Sequence, residues 1–235
     1  MLGSGGGRRA VRRTAVAVHR FRPTEGVTLL HMTPIRHNGA DGSGTDSDPV
    51  LDAVRDCVLA VGVRRTTLAD VARRAGVSRM TLYRRWPDLR TLVGDLMTRE
   101  WIAVATRAIP APAPGVDTRT RLVRGLVAGV EAFRAHPLFH KIVDVDPELL
   151  LPYVLDRRGA SQEALLALLA EGLREGHADG SVRPGHIERQ ARALLLTVQS
   201  FTLSLRTMTD EDDPELDSTA FLGELRTLLE RILTP

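Results

Sequence analysis

The chain has 235 residues, 43% of them hydrophobic, 26% charged and 4% aromatic, with a formal net charge of +3. These values suit one large globular domain, or a small one joined to a medium one, whose core is built mostly from Leu, Val and Ala. Cys57 is the single cysteine, which excludes an intramolecular disulfide and argues against a cysteine-based zinc site.

Residues 1–47 are dominated by Gly, Ser and Arg and show no sustained apolar period, so they read as a disordered basic tail. The apolar stretch after the first arginines is too short and broken for a signal sequence. The tail is expected to be a dispensable extension with Met32 as the true start, checked by the intact mass of the native protein. The alternative is a basic arm that touches a polyanion.

Helical signals begin at Asp48-Pro49, a good N-cap followed by the residue favoured at the first helical position. Val50, Leu51, Val54, Val58, Leu59 and Val61 then recur at helical spacing, and Gly62 ends the helix. Thr67 followed by Asp70 fits a capping box that opens a short helix to Ala75. Gly76 breaks it, Ser78 caps a third helix reaching about Trp86, and Pro87-Asp88 stops that one and opens a fourth to about Ile109. The run Pro110-Ala-Pro-Ala-Pro-Gly115 is a stiff, extended boundary.

Beyond it, Leu122, Leu126, Val130 and Phe133 mark a helix expected to end before Pro137. Asp146-Pro147-Glu148 starts another that carries Leu150, Tyr153 and Val154. Leu165, Leu168, Leu169 and Leu173 mark the next, Ile187 to Leu205 a long one, and Phe221 to Ile232 the last. With no strand alternation and no internal repeat, the expected fold is all-α with about nine helices. No segment reaches the roughly 18 apolar residues of a membrane span; the longest uncharged one, Ala193 to Leu205, contains Thr, Gln and Ser. A reducing cytoplasm is the expected location.

Two short helices joined by a tight turn over residues 67–87 make a helix-turn-helix. Ala72 is small where the helices cross, Gly76 sits where a positive φ is wanted, and Leu82 supplies the apolar plug of the second helix. Leu68, Val71 and Val77 complete the small core, so Arg73, Arg74, Ser78, Arg79, Met80, Thr81, Arg84 and Arg85 face outward. From Arg64 to Arg90 there are eight arginines against Asp70 and Asp88, a local charge of +6. From residue 91 onward, 16 basic residues face 21 acidic ones, a charge of −5. A basic block on an acidic remainder is the footprint of a polyanion partner.

The segment TTLADVARRAGVSRMTLYRRWPDLRTLV (Thr66 to Val93) resembles the signature of the TetR family of bacterial transcriptional regulators. The resemblance is close over residues 48–100. It implies a three-helix DNA-binding domain over residues 48–94 and a helical ligand-binding and dimerisation domain over residues 95–235. Double-stranded DNA carrying a palindromic operator is the implied partner, with repression as the usual mode. The start of the recognition helix then faces base edges in the major groove, through Ser78, Arg79, Met80 and Thr81. Arg79 suits a guanine, a pairing worth about 1–3 kcal/mol of discrimination. Phosphate contacts are expected from Thr67, Tyr83, Arg84 and Arg85. Tyr83 matches the family's phosphate-contacting tyrosine. The family's usual lysine near the start of the fourth helix is Leu89 here, so either Arg90 replaces it or the helix end binds phosphate through its amides.

The resemblance further implies a homodimer and a small-molecule effector. The faces holding Val198, Phe201 and Leu205, and Leu222, Leu225 and Leu229, are the expected dimer surface. Trp101, Phe133, Phe139, His140, Tyr153 and Gln199 are the candidate lining of an effector pocket. His136, His140 and Asp144 do not read as a metal site, because Pro137 separates them into different segments. No phosphate loop or nucleophile elbow points to an enzyme or a cofactor. An architectural protein binding DNA without sequence preference is the main competing reading. It does not account for the large second region.

Overall fold

The computed structural model describes residues 48–235, which lie in one compact unit. The basic tail of residues 1–47 and Met32 fall outside the described residues. The described residues are all-α: ten α-helices and two short 3-10 turns, with no strand among them.

The first three helices are α1 (Pro49–Val61), α2 (Leu68–Ala75) and α3 (Arg79–Arg85). Their caps follow the side-chain chemistry of the sequence. Asp48 Oδ1 accepts from Val50 N at 3.0 Å, Thr67 Oγ1 from Asp70 N at 3.1 Å, and Ser78 Oγ from Thr81 N at 3.1 Å. Each accepts an N–H that the first helical turn leaves without a partner. The long helix α4 (Leu89–Ala108) opens in the same way, with Asp88 Oδ1 accepting from Thr91 N at 2.7 Å. That bond, joined by one from the Thr91 hydroxyl, holds the Asp88 carboxyl below the usual carboxylate range.

The remaining helices are α5 (Thr118–Arg134), α6 (Pro137–Val145), α7 (Leu151–Leu155), α8 (Ala160–Ala178), α9 (Ile187–Ser204) and α10 (Ser218–Leu233). Two sequence expectations change here. Pro137 does not simply end a helix; it occupies the first turn of α6, where its missing N–H costs nothing, so it does not separate His140 and Asp144, which share α6 with His136 as its N-cap. The segment from Pro147 forms no long helix. A 3-10 turn over Pro147–Leu149 leads into the five-residue α7, which ends before Arg157-Arg158-Gly159.

Two apolar clusters form the interior. The first lies under the helix-turn-helix and joins Val54, Val58, Val71, Leu82 and Trp86 to Leu92 and Leu96 of α4 and to Leu138 and Ile142 of α6. It therefore continues past residue 94 into the helices that follow. The second joins Val123 and Val127 of α5, Leu173 of α8, Leu194 of α9 and Leu225 and Leu229 of α10. Leu205, Leu225 and Leu229, expected on a dimer face, are buried inside the single chain. Val198 faces a cavity, and Phe201 and Leu222 are half-buried against the second cluster. The stripes of α9 and α10 thus fill the core first, because a helix buries its strongest apolar face against its own chain.

Leu96 is fully buried where α4 meets the first cluster. Leu96→Ala is expected to lower the unfolding free energy by about 2–5 kcal/mol in urea denaturation. A loss below about 0.5 kcal/mol, the scale of a surface change, would show that this contact does not hold α4 to the motif.

Candidate nucleic-acid interface and internal cavity

The turn of the motif is set by Gly76, whose φ of 68° places it in the left-handed region. Its backbone N–H and that of Val77 return to the carbonyls of Arg73 and Ala72. This reverses the chain so that α3 crosses α2 over Val71, Ala72 and Leu82, all buried. The opposite side of α3 is open to solvent. Met80 is 79% exposed and Tyr83 50% exposed, and Ser78, Arg79, Thr81 and Arg84 are exposed beside them. Ser78 and Thr81 are not independent, since their hydroxyls share a hydrogen bond of 2.8 Å. Thr67 sits at the start of α2, with its hydroxyl donating to Asp70 Oδ2 at 2.6 Å.

The eight arginines of the basic block divide into two groups. Arg73 pairs with Asp70 at 2.7 Å, Arg74 with Asp56 at 3.1 Å, Arg64 with Glu148 at 2.5 Å and Arg85 with Asp48 at 2.6 Å. The Arg85 guanidinium also lies 4.1 Å over the Trp86 ring. Arg65, Arg79, Arg84 and Arg90 have no carboxylate partner among the described residues. A paired guanidinium releases fewer counterions on meeting a phosphate, so the free group carries more of the polyanion attraction.

Behind the motif, helices α4 to α9 line a cavity of about 630 Å³ that is open to solvent on one side. Trp101, Phe133, Phe139, Tyr153 and Gln199 all contribute to its wall, and Arg90 lies there too. His140 does not. It is exposed, touching the aromatic group only through Phe139 at a ring separation of 6.5 Å. Trp101 is the centre of the aromatic wall, with its ring 5.3 Å from Phe133 and 6.3 Å from Phe139.

Two polar ties connect the motif to the helices around this cavity. Asp146, 0% exposed at the end of α6, accepts from Val63 N at 2.8 Å and has Arg64 Nε at 3.6 Å. Gly62 makes the approach possible: with a φ of 84°, it sits where an added Cβ would meet Asp146 Oδ2 and Val145 at 3.0 Å. The second tie centres on buried Glu100 of α4. Arg99 donates to it at 2.7 Å, Arg55 of α1 lies 3.9 Å away, and His136, the residue before α6, is at 3.4 Å. Burial holds the His136 imidazole below its usual pKa, with Glu100 opposing that shift.

The family profile described as "Bacterial regulatory proteins, tetR family" matches residues 50–96. An HTH-type transcriptional regulator of Mycobacterium tuberculosis is 38% identical over 202 residues, covering 86% of this chain and all of that protein. The chain belongs to the TetR family. The regulator AqdR of Rhodococcus erythropolis is 49% identical over 51 residues, 21% of this chain and 25% of that protein. Among solved structures, the R. erythropolis transcriptional repressor QsdR, from the TetR family, superposes with a TM-score of 0.60 at 14% identity. The match covers 79% of this chain and 94% of that one. FadR of Bacillus halodurans gives a TM-score of 0.54 at 17% identity, covering 80% and 96%. At these identities the structural likeness concerns the fold.

This TetR-family chain is a DNA-binding transcriptional regulator, not an enzyme. Among the described residues no helix is long and apolar enough to cross a membrane. Sequence reasoning missed the two ties, since Val63 and Asp146 lie 83 residues apart and Glu100 meets Arg55 and His136 from separate segments of the chain. The one local hint was Gly62, a glycine at a helix end that also serves a close contact.

The division of the arginines yields a paired comparison. Arg84→Ala is expected to weaken binding to any DNA and to reduce the slope of log K against log salt by about one. Arg85→Ala is expected to leave that slope nearly unchanged, because Asp48 already neutralises the group. Anisotropy titrations over a salt series read both, and equal slope changes would overturn the division.

Proposed function

We propose that this regulator is a homodimeric cytoplasmic repressor that reads a palindromic operator and releases it when a small molecule fills the cavity. The observation that supports this most is the double use of α4. Leu92, Val93 and Leu96 of α4 pack under the helix-turn-helix, while Thr91, Gly94, Thr98 and Trp101 of the same helix line the cavity. A ligand pressing on one face of α4 must move the motif on the other, because close-packed cores transmit displacement.

In this reading, Ser78, Arg79, Met80 and Thr81 meet base edges, with Arg79 suited to guanine and Met80 to a thymine methyl. Thr67, Tyr83 and Arg84 meet phosphates. Arg85 is left out because Asp48 holds it, and Arg90 because its side chain belongs to the cavity wall. The ligand changes the spacing of two recognition helices by tilting α4, and the ties at Asp146 and Glu100 carry the shift to α1 and α2. Coupling of this kind is typically about 1–3 kcal/mol and is reciprocal between DNA and ligand.

The dimer surface belongs on the outer faces of α9 and α10, where Leu196 is 69% and Leu228 43% exposed. Leu196→Glu with Leu228→Glu is expected to give the mass of one chain by light scattering, against two chains for the parent. A parent already at the mass of one chain would contradict the dimer.

The operator is tested by titrating the protein on its own upstream DNA and on random DNA. Selective binding that is lost in Arg79→Ala is expected, with the lost base contact costing about 1–3 kcal/mol. Equal affinity for both DNAs would instead support an architectural DNA-binding protein.

A further inference from the structure

The cavity changes character along its length: α4, α8 and α9 change in the same direction, while α5 lines it with Leu122, Leu126, Val130 and Phe133 throughout. The first half of α4 gives it Arg90, Thr91, Asp95 and Thr98 beside a single large apolar side chain, Met97; the second half gives it Trp101 and Ala105, followed by Ile109. The chain entering α8 gives it Arg157 and Arg158, the first turn of α8 gives it Ser161 and Gln162, and α8 then gives it Leu165, Leu168 and Leu169. Gln162 Nε2 donates to Gln199 Oε1 at 2.9 Å, so the start of α8 lies beside the second half of α9. There α9 contributes Gln199 and Thr202 beside Leu203, and it contributes Leu195 and Val198 farther along.

The orientation of the two ends follows from neighbouring contacts. Gly125 of α5 lies against Ile109, and Gly172 of α8 lies against Leu122, so α4 and α8 both finish at the same stretch of α5. That end is apolar. The other end lies toward the motif. The end of α9 is tied there through Arg206 and Asp144 at 3.3 Å, and Asp144 is two residues from the Asp146 that holds Val63.

The polar end carries uncompensated positive charge. Arg158 is held by Glu163 at 2.5 Å. Arg90 and Arg157 have no carboxylate partner among the described residues, and Arg157 lies 5.6 Å over the Tyr153 ring. The one carboxylate of the wall, Asp95, already accepts from Trp86 Nε1 at 2.8 Å. Arg90 and Arg157 are exposed to solvent, and a mostly apolar cavity with unpaired guanidinium groups at its open end suits an anion on a long apolar body. Its volume of about 630 Å³ suits such a molecule.

We propose that the cavity binds an amphipathic carboxylate, with its head group on Arg90 and Arg157 and its apolar body along Trp101, Ile109 and Leu169. The assignment rests on the cavity being the effector site, and it specifies the class of effector. It also gives Arg90 a task in ligand binding in place of a DNA phosphate. A head group bound there sits at the opening of α4, next to the motif.

The test compares dodecanoate with dodecan-1-ol, which share an apolar body and differ in charge, using full-length protein and isothermal calorimetry below the aggregation limit of each. Dodecanoate is expected to bind at least about tenfold more tightly, the scale of a charge-assisted contact. Arg157→Gln and Arg90→Gln are each expected to shrink that preference while dodecan-1-ol affinity stays constant, which shows that the cavity still folds. Equal affinity for the two probes, a preference that survives both substitutions, or no binding of either would overturn the assignment. A parallel titration with bound upstream DNA separates the two levels. Selective dodecanoate binding that leaves DNA bound sinks the release mechanism and keeps the carboxylate assignment. Release by dodecan-1-ol as effective as by dodecanoate keeps the mechanism and sinks the assignment.

Discussion

The fold depends on α4 serving two interiors at once. One side of this helix completes the core beneath the helix-turn-helix through Leu92, Val93 and Leu96, another forms the cavity wall through Thr91, Gly94 and Thr98, and Met97 and Trp101 belong to both. Neither partner can shift without the helix, since Leu92 and Leu96 are fully buried and a close-packed contact tolerates little displacement. The ties at Glu100 and Asp146 restrict the relative motion further. Each engages a charged group, and Asp146 would be left unpaired and buried if the surfaces slid apart.

The same economy governs charge. Eight arginines surround the motif, yet half of them are engaged in ion pairs: Arg74 joins α2 to α1, Arg85 joins α3 to the cap of α1, Arg64 reaches Glu148 beyond α6, and Arg73 pairs within α2. Exposed pairs of this sort contribute little stability individually. Their larger effect is to decide which cations remain free. Arg79 and Arg84 are left without a carboxylate partner on α3, and Arg90 at the cavity, so a uniform-looking basic block resolves into paired and unpaired groups at different places on the surface.

Much of the fold was legible in the sequence because its determinants are local. Asp48, Thr67, Ser78 and Asp88 are caps within three residues of the amides they accept from, and Gly76 adopts the left-handed conformation that the turn requires. The Ala72, Gly76 and Leu82 spacing marked the crossing of α2 and α3 for the same reason. What failed was either ambiguous or distant. Pro137 is equally at home after a helix and in the first turn of one, so α6 was lost. Leu205, Leu225 and Leu229 have the period of a helix face, but a period does not say whether that face meets its own chain or a second one. The aromatic residues of the cavity wall were identifiable as candidates by type; its polarity was not, because it emerges only when α4, α8 and α9 are set side by side.

The most direct test of the central claim, that α3 presents a base-reading surface held by α4, is hydroxyl-radical footprinting of the full-length protein on its own upstream DNA. Two short protected patches about 10 base pairs apart, on one face of the duplex, are the expected result, since paired recognition helices enter successive major grooves. Continuous protection without register, the same on unrelated DNA, would contradict it and assign this protein to sequence-independent binding.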